Sequence, residues 1–173
     1  MKHTMSVLVE NKFGVLARVA SLFSARGFNI DSLAVGETED STVSRMTIVV
    51  EGDERTLEQI KKQLNKLIDV IKVYDFLGKP SIDRELMLIK VTMTPKTRKE
   101  IIEITESAGG TIAHAGSKYL TIQAVGDQTK VNSLIELLKP FGIRELARTG
   151  RIALGTEHEV RLEEQKETKE QNL

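Results

Sequence analysis

The 173-residue sequence contains no cysteine and no tryptophan. Without thiols it has no disulfide framework, no sulfur nucleophile and no cysteine-based metal cage. That is compatible with a reducing, cytoplasmic setting, which is the expected location. Aromatic residues make up only 4% of the chain, leaving little with which to stack bases. Neither sign of charge prevails: 25 basic and 25 acidic side chains give a formal net charge of zero, without the basic surplus that nucleic acid demands. No apolar run approaches the length needed to cross a bilayer, and the opening MKHTMSVLVE lacks the apolar core and small-residue cleavage site of a signal peptide. Neither nucleic acid nor membrane is an expected partner. The three histidines, His3, His114 and His158, are isolated and share no metal-ligand spacing. No G-x-S-x-G elbow, Walker A or G-x-G-x-x-G occurs. The carboxylates fall mostly in helix faces such as EGDERTLEQIKK, where i,i+4 pairing with lysine or arginine accounts for them. No catalytic residue, metal or cofactor is therefore expected on this chain.

What is present is a repeat. VVEGDERTLEQIKKQL and QAVGDQTKVNSLIELL both end a strand with Gly-Asp and then open a helix. Asp53 is followed by Leu57, Ile60 and Leu64, and Asp127 by Val131, Leu134 and Leu138, at the same spacing. Both aspartates are natural N-caps. Each half reads strand, helix, strand, strand, helix, strand. In the first, MSVLV is a strand, residues 14–26 a helix closed by Gly27, and FNIDSLAVGE with VSRMTIVVE a hairpin. Residues 53–67 form the next helix and VIKVYDFL the last strand. In the second, ELMLIKVTM precedes a helix opened by Thr94-Pro95 and ended by Gly109-Gly110. TIAHAG and KYLTIQAV pair, a helix covers 128–139, and IRELART closes the sheet. The glycine pair in SAGGTIAHAG is read as a helix end and turn, and His114 as a packed or rim residue.

The fold class is thus α+β, two ferredoxin-like βαββαβ domains, each an antiparallel sheet with two helices on one face. The boundaries are a first domain over 1–78, a linker over 79–84 carrying Pro80, a second domain over 85–156, and a charged tail over 157–173 read as solvated or a frayed helix. Met46, Ile48 and Val50 are expected to face the helices. Val49 and Val35 suggest that the opposite face is not wholly polar and is covered by another domain or chain.

Chemistry concentrates in VENKFGVLARVASLFSARGFNIDSL. Polar Glu10-Asn11-Lys12 breaks an apolar strand, and after Gly14 the residues Leu16, Val19, Ala20 and Phe23 recur on a helical stripe. A helix starting after a glycine offers unpaired N–H groups and a partial positive charge. Asn11 with the amides of Gly14, Val15 and Leu16 could seat a carboxylate. Equally, Asn11 could cap the helix while Gly14 eases a tight turn.

These residues carry a resemblance. N-x-x-G-V-L-x-R-V with R-G-F-N-I, then SRMTIVV, KLIDVIKVYDF, RELMLIKV and LARTGRIAL, resembles the small-subunit family of acetolactate synthase, whose N-terminal part is an ACT domain. The similarity covers about residues 3–156. It implies a non-catalytic regulatory subunit that forms a homodimer through its ACT domains and activates a separate catalytic large subunit. It further implies feedback inhibition by a branched-chain amino acid, valine foremost, in valine, leucine and isoleucine biosynthesis. Thiamine diphosphate, magnesium and FAD would belong to the catalytic partner. The effector would sit between two chains, with Asn11, Gly14, Val15 and Leu16 from one and Asn29 and Ile30 from the other. Each methylene of fit is worth about 1–3 kcal/mol, enough to prefer valine to alanine. Phe13, bulky and next to Gly14, could reshape the pocket toward leucine or isoleucine. Arg45 is a candidate contact for the large subunit, or half of a cross-strand ion pair. The alternative is a stand-alone ACT-type sensor serving another enzyme or a transcription factor.

Overall fold

The computed structural model describes residues 2–156. The first half contains β1 (Lys2–Glu10), α1 (Val15–Ser24), β2 (Ile30–Glu37), β3 (Val43–Glu51), α2 (Glu54–Leu64) and β4 (Val70–Asp75). The second contains β5 (Ser81–Thr92), α3 (Arg98–Ser107), β6 (Thr111–Ala115), β7 (Tyr119–Gly126), α4 (Gln128–Leu138) and β8 (Ile143–Arg148), followed by a short β9 (Ile152–Gly155). The strand orders, β2-β3-β1-β4 and β6-β7-β5-β8, are one order used twice, and β9 pairs with β5. The mixed α+β class with two antiparallel βαββαβ sheets is as the sequence implies.

Alternation along the central strands builds each core. Met5, Val7 and Val9 of β1 with Met46, Ile48 and Val50 of β3 lie under Val15, Val19 and Phe23 of α1 and Leu57, Ile60 and Leu64 of α2. In the second unit Met87, Ile89 and Val91 with Leu120 and Ile122 meet Ile101 of α3 and Val131, Leu134 and Leu138 of α4. Burying one such side chain stabilises by about 1.5–3 kcal/mol. The apolar stripe of α1 is Val15, Val19, Leu22 and Phe23, an i, i+4, i+7, i+8 set. It keeps Val19 and Phe23 of the stripe read in the sequence but takes Val15 and Leu22 in place of Leu16 and Ala20: Leu16 stays 45% exposed because Val15, the first helical residue, already points into the core.

The repeated Gly-Asp has a steric and a polar cause. Asp53 accepts from the Thr56 N–H and Asp127 from the Lys130 N–H, each at 2.8 Å. The glycine before each cap lies beneath the helix's first turn. A Cβ on Gly52 would come within 2.7 Å of Thr56, and one on Gly126 within 2.6 Å of Lys130. The first helices of the two units also end alike. Gly27 and Gly109 take φ of +68°, and the following N–H reaches back to Phe23 O and Thr105 O respectively, the six-to-one bond of a Schellman motif.

Contacts divide the described chain into Asp83–Gly150 and a unit made of the residues up to Ile82 with those from Arg151 onward. The sequence reading ended the second domain at 156. Residues 151–156 instead group with the first unit: the Arg151 N–H donates to Ser32 Oγ, and the Thr156 N–H to the Pro80 carbonyl. The linker shortens to a turn at Gly78, since β5 already begins at Ser81. Val49 is on the sheet face away from the helices, opposite Thr4 and Ser32, and is buried. Arg151 bonds to both of those neighbours, so this stretch of the face is covered from within the unit. Val35 is opposite Met46 and so belongs to the helix-side face, a correction to the sequence reading that follows from the hairpin register. The tail over 157–173 lies outside the described residues.

Candidate functional site

The β1–α1 junction holds four of the six expected site residues. Glu10 closes β1 opposite Val43, and the chain then turns away. The Asn11 N–H donates to the Thr42 carbonyl at 2.7 Å. The side-chain amide of Asn11 donates to the Ser41 carbonyl at 2.9 Å and to Glu37 Oε1 at 3.0 Å. Asn11 therefore ties the junction to the β2–β3 hairpin and does not cap the helix, whereas Gly14 does make the tight turn that the sequence allowed. Gly14 occupies the N-cap position at φ +81°, and no side chain caps α1. Arg18 N–H is bonded to Gly14 O, so the amides of Gly14 and Leu16 precede the intrahelical ladder. Only glycine adopts that backbone without strain.

The cations around the junction are paired with carboxylates, Arg18 with Asp69 and Lys12 with Glu10. The positive end of α1 is reinforced by Arg18, whose Nη1 would lie 3.7 Å from a Cβ on Gly14 and whose Nε pairs with Asp69 at 2.8 Å. Asp69 in turn anchors the β1 end, since its carbonyl accepts from the Glu10 N–H. Lys12 is held above its ordinary pKa by the hydrogen bond it donates to Glu10, so it stays cationic at neutral pH. Val15 is buried in the core, and its N–H donates to the Lys12 carbonyl at 3.4 Å. Leu16 and Phe13 provide exposed apolar surface at the same junction.

The other two expected residues are elsewhere. Asn29 precedes β2 and is exposed, its amide donating to Asp31 Oδ1 at 3.1 Å while its side-chain oxygen is left to accept. Ile30 pairs with Val50 and packs against the core. Glu37, at the far end of the same strand, pairs with Ser44. The two groups of residues thus sit at opposite ends of one sheet, roughly 23 Å apart along β3 at about 3.3 Å per residue. The chain brings Asn11, Gly14, Val15 and Leu16 together and keeps Asn29 and Ile30 apart from them.

Two participants were not legible in the sequence. Glu37 and Ser41 reach Asn11 only through the hairpin register. Arg45 donates to Ser6 Oγ at 3.0 Å and lies over the Tyr74 ring, a contact that composition does not signal. Among the described residues no cluster of three or more His, Cys, Asp or Glu could hold a metal ion, and no helix is long and apolar enough to cross a membrane.

Residues 5–72 match the family model described as AHAS small subunit-like ACT domain, and residues 84–157 the one described as small subunit of acetolactate synthase. A probable acetolactate synthase small subunit of Archaeoglobus fulgidus is 53% identical over 154 residues, covering 89% of this chain and 96% of the relative. The acetolactate synthase small subunit of Aquifex aeolicus is 48% identical over 164 residues, covering 94% and 85%. The crystal structure of the acetolactate synthase small subunit from Thermotoga maritima superposes with a TM-score of 0.84 at 40% identity, covering 92% of this chain and 99% of that one.

Proposed function

This chain belongs to the family of acetolactate synthase small subunits, regulatory and non-catalytic, and from that premise we propose that it activates a catalytic large subunit and makes it sensitive to a branched-chain amino acid, valine foremost. The effector sits at the β1–α1 junction between two copies of the chain. Allostery here is a coupling free energy between that seat and the distant active site, typically about 1–3 kcal/mol. Thiamine diphosphate, magnesium and FAD belong to the large subunit, which condenses two pyruvates, or pyruvate with 2-oxobutyrate.

The observation that carries this reading is the separation of the two half-sites along β2. That strand is an edge of its sheet, with unpaired backbone on its outer side. A two-fold axis pairs two such edges antiparallel, so the start of one β2 meets the end of the other. Asn29 and Ile30 of one copy then approach the Asn11–Leu16 junction of its partner, completing a seat that a single chain leaves in halves.

The chemistry follows the groups. The α-carboxylate lies on the amides of Gly14 and Leu16, near Arg18. Asn11 joins it by releasing Glu37, whose side chain is exposed. Asn29 accepts from the α-ammonium through its side-chain oxygen. Leu16, Phe13 and Ile30 meet the branched side chain. Calorimetric titration with valine, leucine and isoleucine, paired with reconstitution onto an acetolactate synthase large subunit, tests the reading. Saturable heat near one ligand per half-dimer, with raised turnover and its suppression by the same amino acid, is expected. No heat with any of the three, alone or reconstituted, overturns it.

A further inference from the structure

The motif LARTGRIAL has no role in the seat described so far, and its two arginines are anchored in different units. Arg148 grips the buried Glu85 carboxylate with two N–H donors, one of them at 3.0 Å, within the second unit. Thr149 Oγ1 accepts from the Leu86 N–H, and Gly150 turns the chain at φ +80°. Arg151 then enters the first unit. Its backbone N–H donates to Ser32 Oγ at 3.0 Å, and its guanidinium donates to Thr4 Oγ1 at 3.1 Å.

The place where Arg151 lands gives it meaning. Ser32 and Thr4 flank Val49, on β2 and β1 respectively, so one residue clamps the edge strand to the centre of its sheet. The register of β2 shifts between Ile30 and Ser32, so Asp31 is an extra residue there and the strand's start is a bulge. An edge strand with a bulge and one neighbour is the least constrained part of a sheet. Besides its pairing with β3 and the packing of Ile30 on the core, polar contacts hold this start: Lys2 pairs with Asp31 at 2.9 Å, and Arg151 holds Ser32. Asn29, bonded to Asp31, precedes the bulge, and Ile30 enters it.

We propose that Arg151 is a positioning residue for the effector seat: by fixing Ser32 against Thr4 it sets the bulged start of β2, and with it Asn29 and Ile30. This rests on the reading of the seat given above. The residue lies far outside the residues 5–72 matched by the ACT model, so the effector-binding unit is complete only with a segment from the far end of the sequence.

The test uses the full chain as Arg151→Ala, Ser32→Ala and Arg151→Lys, with valine calorimetry, thermal melting and valine inhibition after reconstitution. Arg151→Ala and Ser32→Ala are each expected to weaken valine binding about tenfold through lost preorganisation. Activation of the large subunit is unchanged while half-inhibition moves to higher valine by the same factor. Both Arg151 variants keep the backbone N–H that donates to Ser32, so of these two bonds Arg151→Ala loses only the guanidinium one to Thr4, and Arg151→Lys, which still presents a cation to Thr4, restores most of the affinity. Asp127→Ala, a cap loss in the other unit, lowers the melting temperature without moving affinity, separating positioning from mere stability. Wild-type affinity in both Arg151→Ala and Ser32→Ala overturns the inference alone. Failure of the unsubstituted chain to bind valine, leucine or isoleucine overturns the seat itself and the inference with it.

Discussion

The two units share a strand order, Gly-Asp caps and helix-ending glycines, yet they differ at the junction between first strand and first helix. In the first unit that junction is open: Gly14 is left-handed and Asn11 is engaged with the hairpin, while α1, like α3, has no side-chain bond from its N-cap residue. In the second it is closed. The Thr94 N–H donates to Thr97 Oγ1 at 3.0 Å, the Thr97 N–H to Thr94 Oγ1 at 3.2 Å, and the Arg98 N–H to Thr94 O. Pro95 has no N–H to offer. The second junction is tied by a threonine pair; the first turns on a glycine, with the Val15 N–H donating to the Lys12 carbonyl at 3.4 Å.

The largest break in that contrast comes from Gly14→Val. A left-handed non-glycine residue costs about 1–2 kcal/mol, and losing the carboxylate's helix-start contacts costs up to about 2 kcal/mol more. Valine affinity is expected to fall about a hundredfold, measured by calorimetry, with activation of the large subunit retained. Full valine sensitivity in this variant would place the seat elsewhere.

Opening the closed junction is the converse experiment. Thr94→Ala removes the reciprocal cap and is expected to lower stability by about 1 kcal/mol in denaturant titration. It leaves valine affinity unchanged, and a new binding event there would mean that any uncapped helix start suffices. Where the units agree, their variants should agree too. Asp127→Ala costs about 1 kcal/mol by loss of the cap, and Asp53→Ala destabilises in the same direction.

The Asp53 cap also has a pH signature. The Thr56 backbone N–H holds its carboxyl below the usual value, so folding depresses the pKa. A depressed folded pKa gives stability that is present above about pH 4, the ordinary carboxylate value, and is lost as pH falls through the lowered one. Asp53→Asn should keep the cap and flatten that acid limb of the stability curve. The smallest effect is at the β2 bulge. Lys2 holds the Asp31 carboxyl below its usual pKa through their hydrogen bond, so Lys2→Met should raise the Asp31 midpoint in an NMR titration of the carboxyl carbon. An unmoved midpoint would remove Lys2 from the contacts that hold the bulge.

Much of this was legible in the sequence because it is local. Period-two alternation placed Met46, Ile48 and Val50 on the core face, and the Gly-Asp repeat placed both caps. What escaped depends on register and long-range return. Val35 was assigned to the wrong face because its side depends on where the hairpin turns, and a slip of one residue exchanges the faces. In the α1 stripe Val19 and Phe23 were placed, but Leu16 and Ala20 were read for Val15 and Leu22, because the burial of Val15 depends on where the left-handed glycine releases the chain.

By itself the sequence determined two βαββαβ units, their caps, the open glycine junction and membership in a family, since each rests on residues close together in the chain. Only the tertiary structure decided that Asn11 binds Glu37 and Ser41, that Asn29 and the Asn11 junction lie at opposite ends of β2, and that Arg151 closes onto Ser32 and Thr4. Those facts join residues about 26 to 147 positions apart. Such pairings are set by strand order and register, which follow from packing the whole sheet and not from any one segment's preference.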